Sequence, residues 1–170
     1  MNFTDKHFPT NVCPSKAFIS ARYFSSIMTR AHVTKTTGRV VIARLEPGED
    51  ILHAIEKVAT EYNIQSGHLS MIGAVSGVHL GYFDREEKVY RDFTVKEDLE
   101  IVSGIGNITT YDNSYVIHTH LVAADQTGKC YGGHLLEGCE VSVTIELVIT
   151  EIPKITRAID DATGLKLLGI

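Results

Sequence analysis

Residues 140–152, EVSVTIELVITEI, decide the fold class, because apolar and polar side chains alternate along the whole stretch. The apolar positions lie on one face of an extended chain: Val141, Val143, Ile145, Leu147 and Ile149. Alternation with a period of two residues predicts a half-buried β-strand, and Pro153 ends it.

The preceding chain is dominated by further strand patterns. β-branched and aromatic segments between turn-forming residues predict six more strands, at residues 39–45, 68–72, 75–83, 89–95, 99–110 and 115–124. Gly73 is expected to form a bend or a bulge. Residues 49–63 instead repeat apolar side chains at helical spacing. The sequence therefore predicts an α+β fold: about seven strands in a mainly antiparallel sheet, with one main helix between the first and second strands.

Charge divides the 170-residue chain into a basic N-terminal leader, residues 1–37, and a patterned domain, residues 38–170, that includes a C-terminal tail. Residues 1–38 carry a net charge of +4, whereas residues 39–170 carry −9. An acidic body disfavours non-specific DNA binding, so we expect only weak, salt-dependent binding through the leader. Within the leader, Ser15 to Met28 is predicted to be a short helix, and Met28 offers an alternative start codon.

Nothing in the composition indicates a membrane protein. The longest stretch without Asp, Glu, Lys or Arg, residues 62–83, contains several polar side chains and four glycines, which is costly in lipid. The first residues lack the apolar segment of a secretory signal. Cys13, Cys130 and Cys139 fit no recognised disulfide pattern. We therefore expect a cytoplasmic protein, with Cys130 and Cys139 as buried free thiols.

Three of the eight histidines form a candidate metal site. His118 and His120 are two residues apart on a predicted strand, so both imidazoles project from the same face. A turn at residues 125–128 would bring His134 beside them. Three imidazoles suit Zn²⁺ best, although Ni²⁺, Cu²⁺ or Fe²⁺ are chemically compatible. The alternative is two histidines on a half-buried strand and one in a loop, with no metal.

Other residues offer weaker signals. Glu100 and Glu146 interrupt apolar strands, so each either faces solvent or accepts a hydrogen bond from a ligand histidine, and Glu100 is the candidate acid/base. Residues 104–107, GIGN, resemble a phosphate-binding loop but lack the helix that should follow. No P-loop, Gly-x-Ser-x-Gly elbow or His-Glu-x-x-His motif occurs, which removes the common nucleotide-binding and hydrolase signatures.

Several segments together resemble the PPC domain, the plants and prokaryotes conserved domain. They are, in the family's order, residues 45–50 (LEPGED), 71–78 (MIGAVSGV), 99–103 (LEIVS), 118–120 (HTH), 132–135 (GGHL) and 141–149. The likeness covers about residues 38–152 and extends into the tail at 155–168. The cupins are a rival, since His118, His120, Asp125 and Gly132 approximate their first motif, but their second motif is missing.

The resemblance to the PPC domain implies a homotrimer and, in forms that keep the three histidines, a metal site at His118, His120 and His134. Plant relatives bind DNA through an Arg-Gly-Arg hook that this chain lacks. Two functions are therefore expected. The first is a stand-alone trimeric metal-binding module with a DNA-associated or regulatory role. The second is a metalloenzyme of hydrolase or lyase type acting on a small molecule that the sequence does not specify.

Overall fold

The computed structural model describes residues 38–170, which form one eight-stranded sheet, one helix and a small hairpin. The sheet strands are β1 Val40–Leu45, β2 Gly67–Val75, β3 Val78–Asp84, β4 Val89–Val95, β5 Leu99–Tyr111, β6 Ser114–Ala124, β7 Cys130–Leu135 and β8 Val141–Glu151. Helix α1 spans Ile51–Glu61, and β9 Arg157–Ile159 pairs with β10 Lys166–Leu168. The predicted α+β fold, with one helix between the first two strands, is confirmed. The predicted leader helix lies outside the described residues.

The strand order of the sheet is β1-β8-β2-β5-β6-β7-β3-β4, and every neighbouring pair is antiparallel. In this eight-stranded sheet, β7 is the one strand that the sequence did not predict. It lies between β6 and β3, and its register places Leu135 opposite Leu80. Since β7 continues β6 through a short turn, three consecutive segments, β5, β6 and β7, lie side by side.

Helix α1 begins where an acidic side chain can satisfy its first backbone groups. The Asp50 carboxylate accepts hydrogen bonds from the backbone N–H of Leu52 at 2.9 Å and of His53 at 3.2 Å. Its buried residues form one stripe: Ile51, Ala54, Ile55 and Ala59. The Tyr115 hydroxyl on β6 donates to the Ala59 carbonyl at 3.2 Å, which ties the end of the helix to the sheet.

The side of the sheet that α1 packs against, here called the core face, is buried. Among its fully buried side chains, strands β2, β6 and β8 contribute Leu69, Leu121, Ile145, Leu147 and Ile149, each at most 1% exposed. The opposite side, here called the open face, is not covered by the helix. Residues directly opposed across strands share a face, and one such row runs through Ile42, Val148, Ser70, Ile105, His120 and His134. Ile42 is 77% exposed and Ile105 is 55% exposed, so this row remains at the surface of the single chain.

Two local irregularities change the predicted pattern. Gly73 has a φ of 145°, and the β2–β5 register shifts between Met71 and Gly73, which confirms the expected bulge. Strand β2 nevertheless continues to Val75, so the break before β3 falls later than predicted. The β2–β8 register also shifts, between Gly73 and Val75. This shift leaves Val143 68% exposed, although alternation alone placed it with the buried residues of β8.

Within residues 38–170, no helix combines the length and the apolar character needed to cross a bilayer.

Candidate metal centre

The three histidines meet on the open face of β6 and β7. His118 and His120 flank Thr119, whose side chain is fully buried on the core face, so strand alternation turns both imidazoles to the opposite side. His134 lies directly opposite His120 in the β6–β7 register. The predicted turn is present, and the Asp125 carboxylate accepts from the backbone N–H of Thr127 at 2.8 Å and of Lys129 at 3.1 Å. The turn therefore returns the chain as expected.

The imidazole nitrogens are close enough to share an ion. One nitrogen from each of His118, His120 and His134 lies within 4.8 Å of the other two. The ring centroids are 5.1 to 5.5 Å apart. Two nitrogens bound to one tetrahedral Zn²⁺ ion lie about 3.3–3.4 Å apart, since each bond is about 2.0–2.1 Å. Small side-chain rotations would close this gap, so the residues present fit a divalent transition metal.

Electrostatics keep two of these imidazoles neutral. Burial lowers the pKa of His134 to about 4, and the neighbouring charges of His118, His120 and Arg157 act in the same direction. Burial also lowers the pKa of His118, helped by Arg157 and His120. Only the neutral imidazole binds a metal. From the sequence alone, metal affinity is expected to fall below pH ~6.5, the ordinary pKa of histidine. Because the pKa values of His118 and His134 are lowered, these two rings stay neutral and able to bind a metal below that pH.

A cavity of about 310 Å³ opens beside the histidines. Its walls come from β4, β6, β7 and the β9–β10 hairpin, and they include Tyr90, His118, His134 and Arg157. The Tyr90 ring lies 4.9 Å from the His134 ring, centroid to centroid. Neither Tyr90 nor Arg157 was expected from the sequence at this site. A turn-like segment between RAI and KLL in the tail was the one available sign of a hairpin carrying Arg157.

The structure does not bring the predicted carboxylates to the histidines within one chain. Glu100 is opposite Ala124, four residues along β6 from His120, which corresponds to about 14 Å. Glu146 lies on β8, opposite Arg44 and Ile72. Both side chains are exposed, and neither lines the cavity. Within this chain, both carboxylates therefore face solvent, and neither is placed to accept a hydrogen bond from one of the three histidines.

The two cysteines of the described residues, Cys130 and Cys139, lie outside the histidine group. Cys139 is buried, as predicted, and its Sγ accepts from the His79 backbone N–H at 3.1 Å. Burial raises the pKa of the Cys139 thiol to about 11. The prediction of a buried thiol is wrong for Cys130, which is exposed beside the turn at the start of β7.

The glycines of the segment that resembled a phosphate loop have a packing role in strand β5. Gly106 is opposite Thr119, and a Cβ added to it would overlap the His118 carbonyl oxygen and the Thr119 side chain. At Gly104, an added Cβ would meet the Met71 side chain at 2.6 Å. These glycines let β5 lie close against β2 and the histidine-bearing part of β6.

Fold and sequence together establish the family. The sequence model of the Plants and Prokaryotes Conserved domain, abbreviated PCC or PPC, matches residues 32–153. The chain belongs to this family. The resemblance seen in its motifs is thereby confirmed, and the cupin alternative is not the fold observed.

Solved structures of relatives carry the same architecture. A metal-containing protein from Archaeoglobus fulgidus is 35% identical, with a TM-score of 0.73, covering 78% of this chain and 94% of that one. A PPC protein from Pyrococcus horikoshii is 30% identical, with a TM-score of 0.75, covering 82% and 98%. A Bacteroides thetaiotaomicron protein, provisionally described as DNA-binding, is 27% identical, with a TM-score of 0.73, covering 79% and 94%.

Among curated sequences, the bifunctional protein GlmU from Synechococcus sp. (strain JA-3-3Ab) is 34% identical over 129 residues, or 74% of this chain. The chain spans about a fifth of the length of the curated relatives it matches.

Proposed function

We propose that this PPC-domain protein binds one divalent transition-metal ion per chain through His118, His120 and His134. The observation that carries the proposal is the convergence of three imidazole nitrogens within 4.8 Å on the open face. The metal-containing relative from Archaeoglobus fulgidus supports it. Zn²⁺ is the metal we favour, because three neutral nitrogens are a common zinc donor set. Such an ion would keep one coordination position for water or a ligand oxygen and would act there as a Lewis acid.

Elemental analysis of the full chain, purified without a histidine tag, tests this proposal. We expect about one transition-metal ion per chain, or uptake of one equivalent when metal-free protein is titrated with Zn²⁺. Titration with Co²⁺, Ni²⁺ and Fe²⁺ under the same conditions would identify the preferred ion. Absence of metal after purification, together with no uptake on titration, would return the histidines to the metal-free alternative.

The cavity supports a second candidate function, a metalloenzyme or small-ligand sensor. A purely structural ion needs no adjoining space, whereas about 310 Å³ lies beside His118 and His134. Since Glu100 is remote from the histidines in this chain, the candidates for an acid/base are Tyr90 in the cavity wall, water, another subunit or the substrate itself. Turnover of ester, phosphoester or hydratable substrates by metal-loaded protein, lost after chelation and restored by Zn²⁺, would separate an enzyme from a binding module.

We also propose that the chain forms the homotrimer implied by its family. Five large apolar side chains of the open face are 55 to 77% exposed: Ile42, Ile72, Val102, Ile105 and Val143. The family resemblance implies that a second copy of the chain covers them. Three of them, Ile72, Val102 and Ile105, line one continuous surface groove. Monomeric proteins rarely leave such contiguous apolar surface in water.

Light scattering tests the assembly. Native protein at micromolar concentration should have about three times the 18.7 kDa chain mass. Ile72→Glu places a second carboxylate in the groove, opposite Glu146, and should reduce that mass, whereas Val89→Glu, on the edge strand β4, should not. A monomeric native protein would contradict the proposal.

The DNA-associated role is proposed for the leader alone. Residues 39–170 carry a net charge of −9, which repels a phosphate backbone, whereas residues 1–38 carry +4. Fluorescence anisotropy with duplex DNA should show weak binding that falls steeply with salt and disappears when residues 1–27 are deleted. The truncated protein should keep its metal uptake. Tight DNA binding by the truncated chain at physiological salt would point to a surface on the body instead.

A further inference from the structure

Arg157, on strand β9, is a buried cation beside the candidate metal centre. The residue as a whole is only 9% exposed. Placing a guanidinium out of water is costly unless an opposite charge compensates it. The position of this residue therefore calls for an explanation beyond the packing of the hairpin.

The hydrogen bonds of Arg157 hold the guanidinium without neutralising it. Nε donates to Thr109 Oγ1, Nη2 to Asn107 Oδ1 and Nη1 to the Lys166 carbonyl, each at 2.6 Å. All three acceptors are neutral. Among residues 38–170, no carboxylate lies within ion-pair distance of this side chain. The guanidinium is fixed in place, and its positive charge is left uncompensated by the part of the chain that the structure describes.

The same contacts leave hydrogen-bonding capacity on the guanidinium. Arginine has five N–H groups, and the three bonds use one on each nitrogen. One N–H on each terminal nitrogen therefore has no acceptor among the described residues. Two donors on the two terminal nitrogens of one guanidinium suit two oxygens of a single carboxylate or phosphate group.

The cavity joins Arg157 to the histidines. Both His118 and His134 line it with Arg157, and the charge of Arg157 contributes to lowering the pKa of each histidine, so the groups are close enough to interact. No Asp or Glu of the described residues lines this space. Its volume of about 310 Å³ is at the small end of ligand cavities, which commonly enclose about 300–1,000 Å³. A small anion is therefore the ligand that the charge and size of the cavity fit.

We propose that Arg157 binds the acid group of a small oxyanion, a carboxylate or a phosphate, in the cavity beside His118 and His134. This inference rests on the proposed metal centre for the function of the bound anion, which an ion at the histidines would attract further. Arg157 itself is a binding residue whose orientation is fixed by Asn107, Thr109 and the Lys166 carbonyl. The proposal gives the site its substrate class, namely small acids.

Calorimetric titration of inorganic phosphate and of butyrate into metal-free and Zn²⁺-loaded protein tests the proposal and distinguishes the two acids. We expect one anion per chain, bound more tightly by the zinc form. Arg157→Gln should weaken the preferred anion at least tenfold in both forms while Zn²⁺ uptake stays at the native stoichiometry. Arg85→Gln, in the exposed β3–β4 turn, is the matched control and should change neither measurement.

The outcomes separate this inference from the metal proposal. Zn²⁺ uptake without anion binding, or anion affinity unchanged in a folded Arg157→Gln protein, would overturn the role of Arg157. Arg157-dependent anion binding without metal uptake would support it and overturn the metal centre instead. If Arg157→Gln does not fold, the ¹⁵Nε–H NMR signal of Arg157 in the native protein decides, because a bound anion should shift it and an unshifted signal at saturating anion would contradict the proposal.

Discussion

The two faces of the sheet come from the same strands, yet they follow different rules. On β6, Thr119 and Leu121 are buried on the core face. The alternating residues His118 and His120 lie on the open face, where His118 lines the cavity and His120 is exposed. The core face is apolar and continuous, so packing determines its residues. The open face mixes imidazoles, a guanidinium and exposed aliphatic side chains, none of which a single chain needs for its core. The contrast separates residues that hold the fold from residues available for binding.

The largest effect should come from the core face. Leu147→Ala removes a fully buried side chain from β8 and should lower the free energy of unfolding by about 2–5 kcal/mol. Urea denaturation monitored by circular dichroism measures this change. Val89→Ala changes a side chain that is 49% exposed on the edge strand β4, and it should lower the free energy of unfolding by less than about 0.5 kcal/mol. Equal losses of stability at the two positions would contradict the distinction between the buried core face and the exposed edge strand.

A substitution on the core face should also reach the open face through the backbone. Gly106→Ala introduces a Cβ against the His118 carbonyl and the Thr119 side chain. Over-packing of this kind typically lowers stability by about 1–3 kcal/mol. Because the overlap lies at the backbone of His118, metal affinity should fall as well. Denaturation and Zn²⁺ titration of the same preparation measure both effects, and lost stability with unchanged affinity would show that the two faces are uncoupled here.

On the open face, the three histidines of the proposed metal centre should matter for metal binding and little for folding. His120→Ala should weaken metal binding at least tenfold, which is about 1.4 kcal/mol, because one of three nitrogen donors is lost. The metal-free variant should unfold within about 0.5 kcal/mol of native protein, since His120 is exposed. His68→Ala, also exposed on the open face but outside the group, is the control. Competition with a chromogenic chelator gives the affinities, and equal losses in both variants would argue against the assigned ligands.

The smallest effect concerns an ion pair on the β3–β4 hairpin. His79 Nε2 lies 2.7 Å from Asp92 Oδ2, and this contact, with the Glu137 carbonyl at Nδ1, raises the pKa of His79. The same contact lowers the pKa of Asp92. A raised histidine pKa stabilises the fold fully below the unfolded value of about 6.5, and the contribution disappears as pH rises through the folded value. Asp92→Asn should therefore return the His79 pKa toward 6.5 and remove this contribution.

An NMR titration of the His79 ring signals checks that shift. Asp84→Asn on the same hairpin is the control, because Asp84 pairs with Arg91 instead. A His79 pKa that is unchanged in Asp92→Asn, or that falls equally in the control, would contradict the assigned cause.

The sequence was most informative where local periodicity and packing agree. The helix follows from an apolar stripe behind Asp50, and β8 from alternation, apart from Val143, whose exposure results from a register shift that only the pairing with β2 reveals. His118 and His120 could be placed on one face because strand geometry fixes alternate side chains. Long-range pairing was not readable: Glu100 on β5 looked as close to the histidines as any other carboxylate, but its register places it near the end of β6.

Two features of the site were missed for physical reasons. Strand β7 contains Gly132 and Gly133, which have low strand propensity and favour a loop interpretation. In the fold, Gly133 is suited to its position because an added Cβ would lie 2.9 Å from the Gly81 carbonyl of β3. Arg157 lies on a strand of only three residues, too short for a periodic pattern. Its contacts with Asn107 and Thr109 join segments about fifty residues apart, which a single sequence does not reveal.

The strand order has a consequence for how the chain folds. Strands β5, β6 and β7 are consecutive, so hairpin formation, which takes about 1–10 μs, can bring His118, His120 and His134 together once residue 135 has left the ribosome. Strands β1 and β2 both pair with β8, which ends at Glu151, so β1 must wait for nearly the whole domain. At about 5–20 residues per second, the end of β8 leaves the ribosome roughly one to three seconds after the end of β7. During that interval the nascent chain can present its histidines to a metal ion before its sheet is complete.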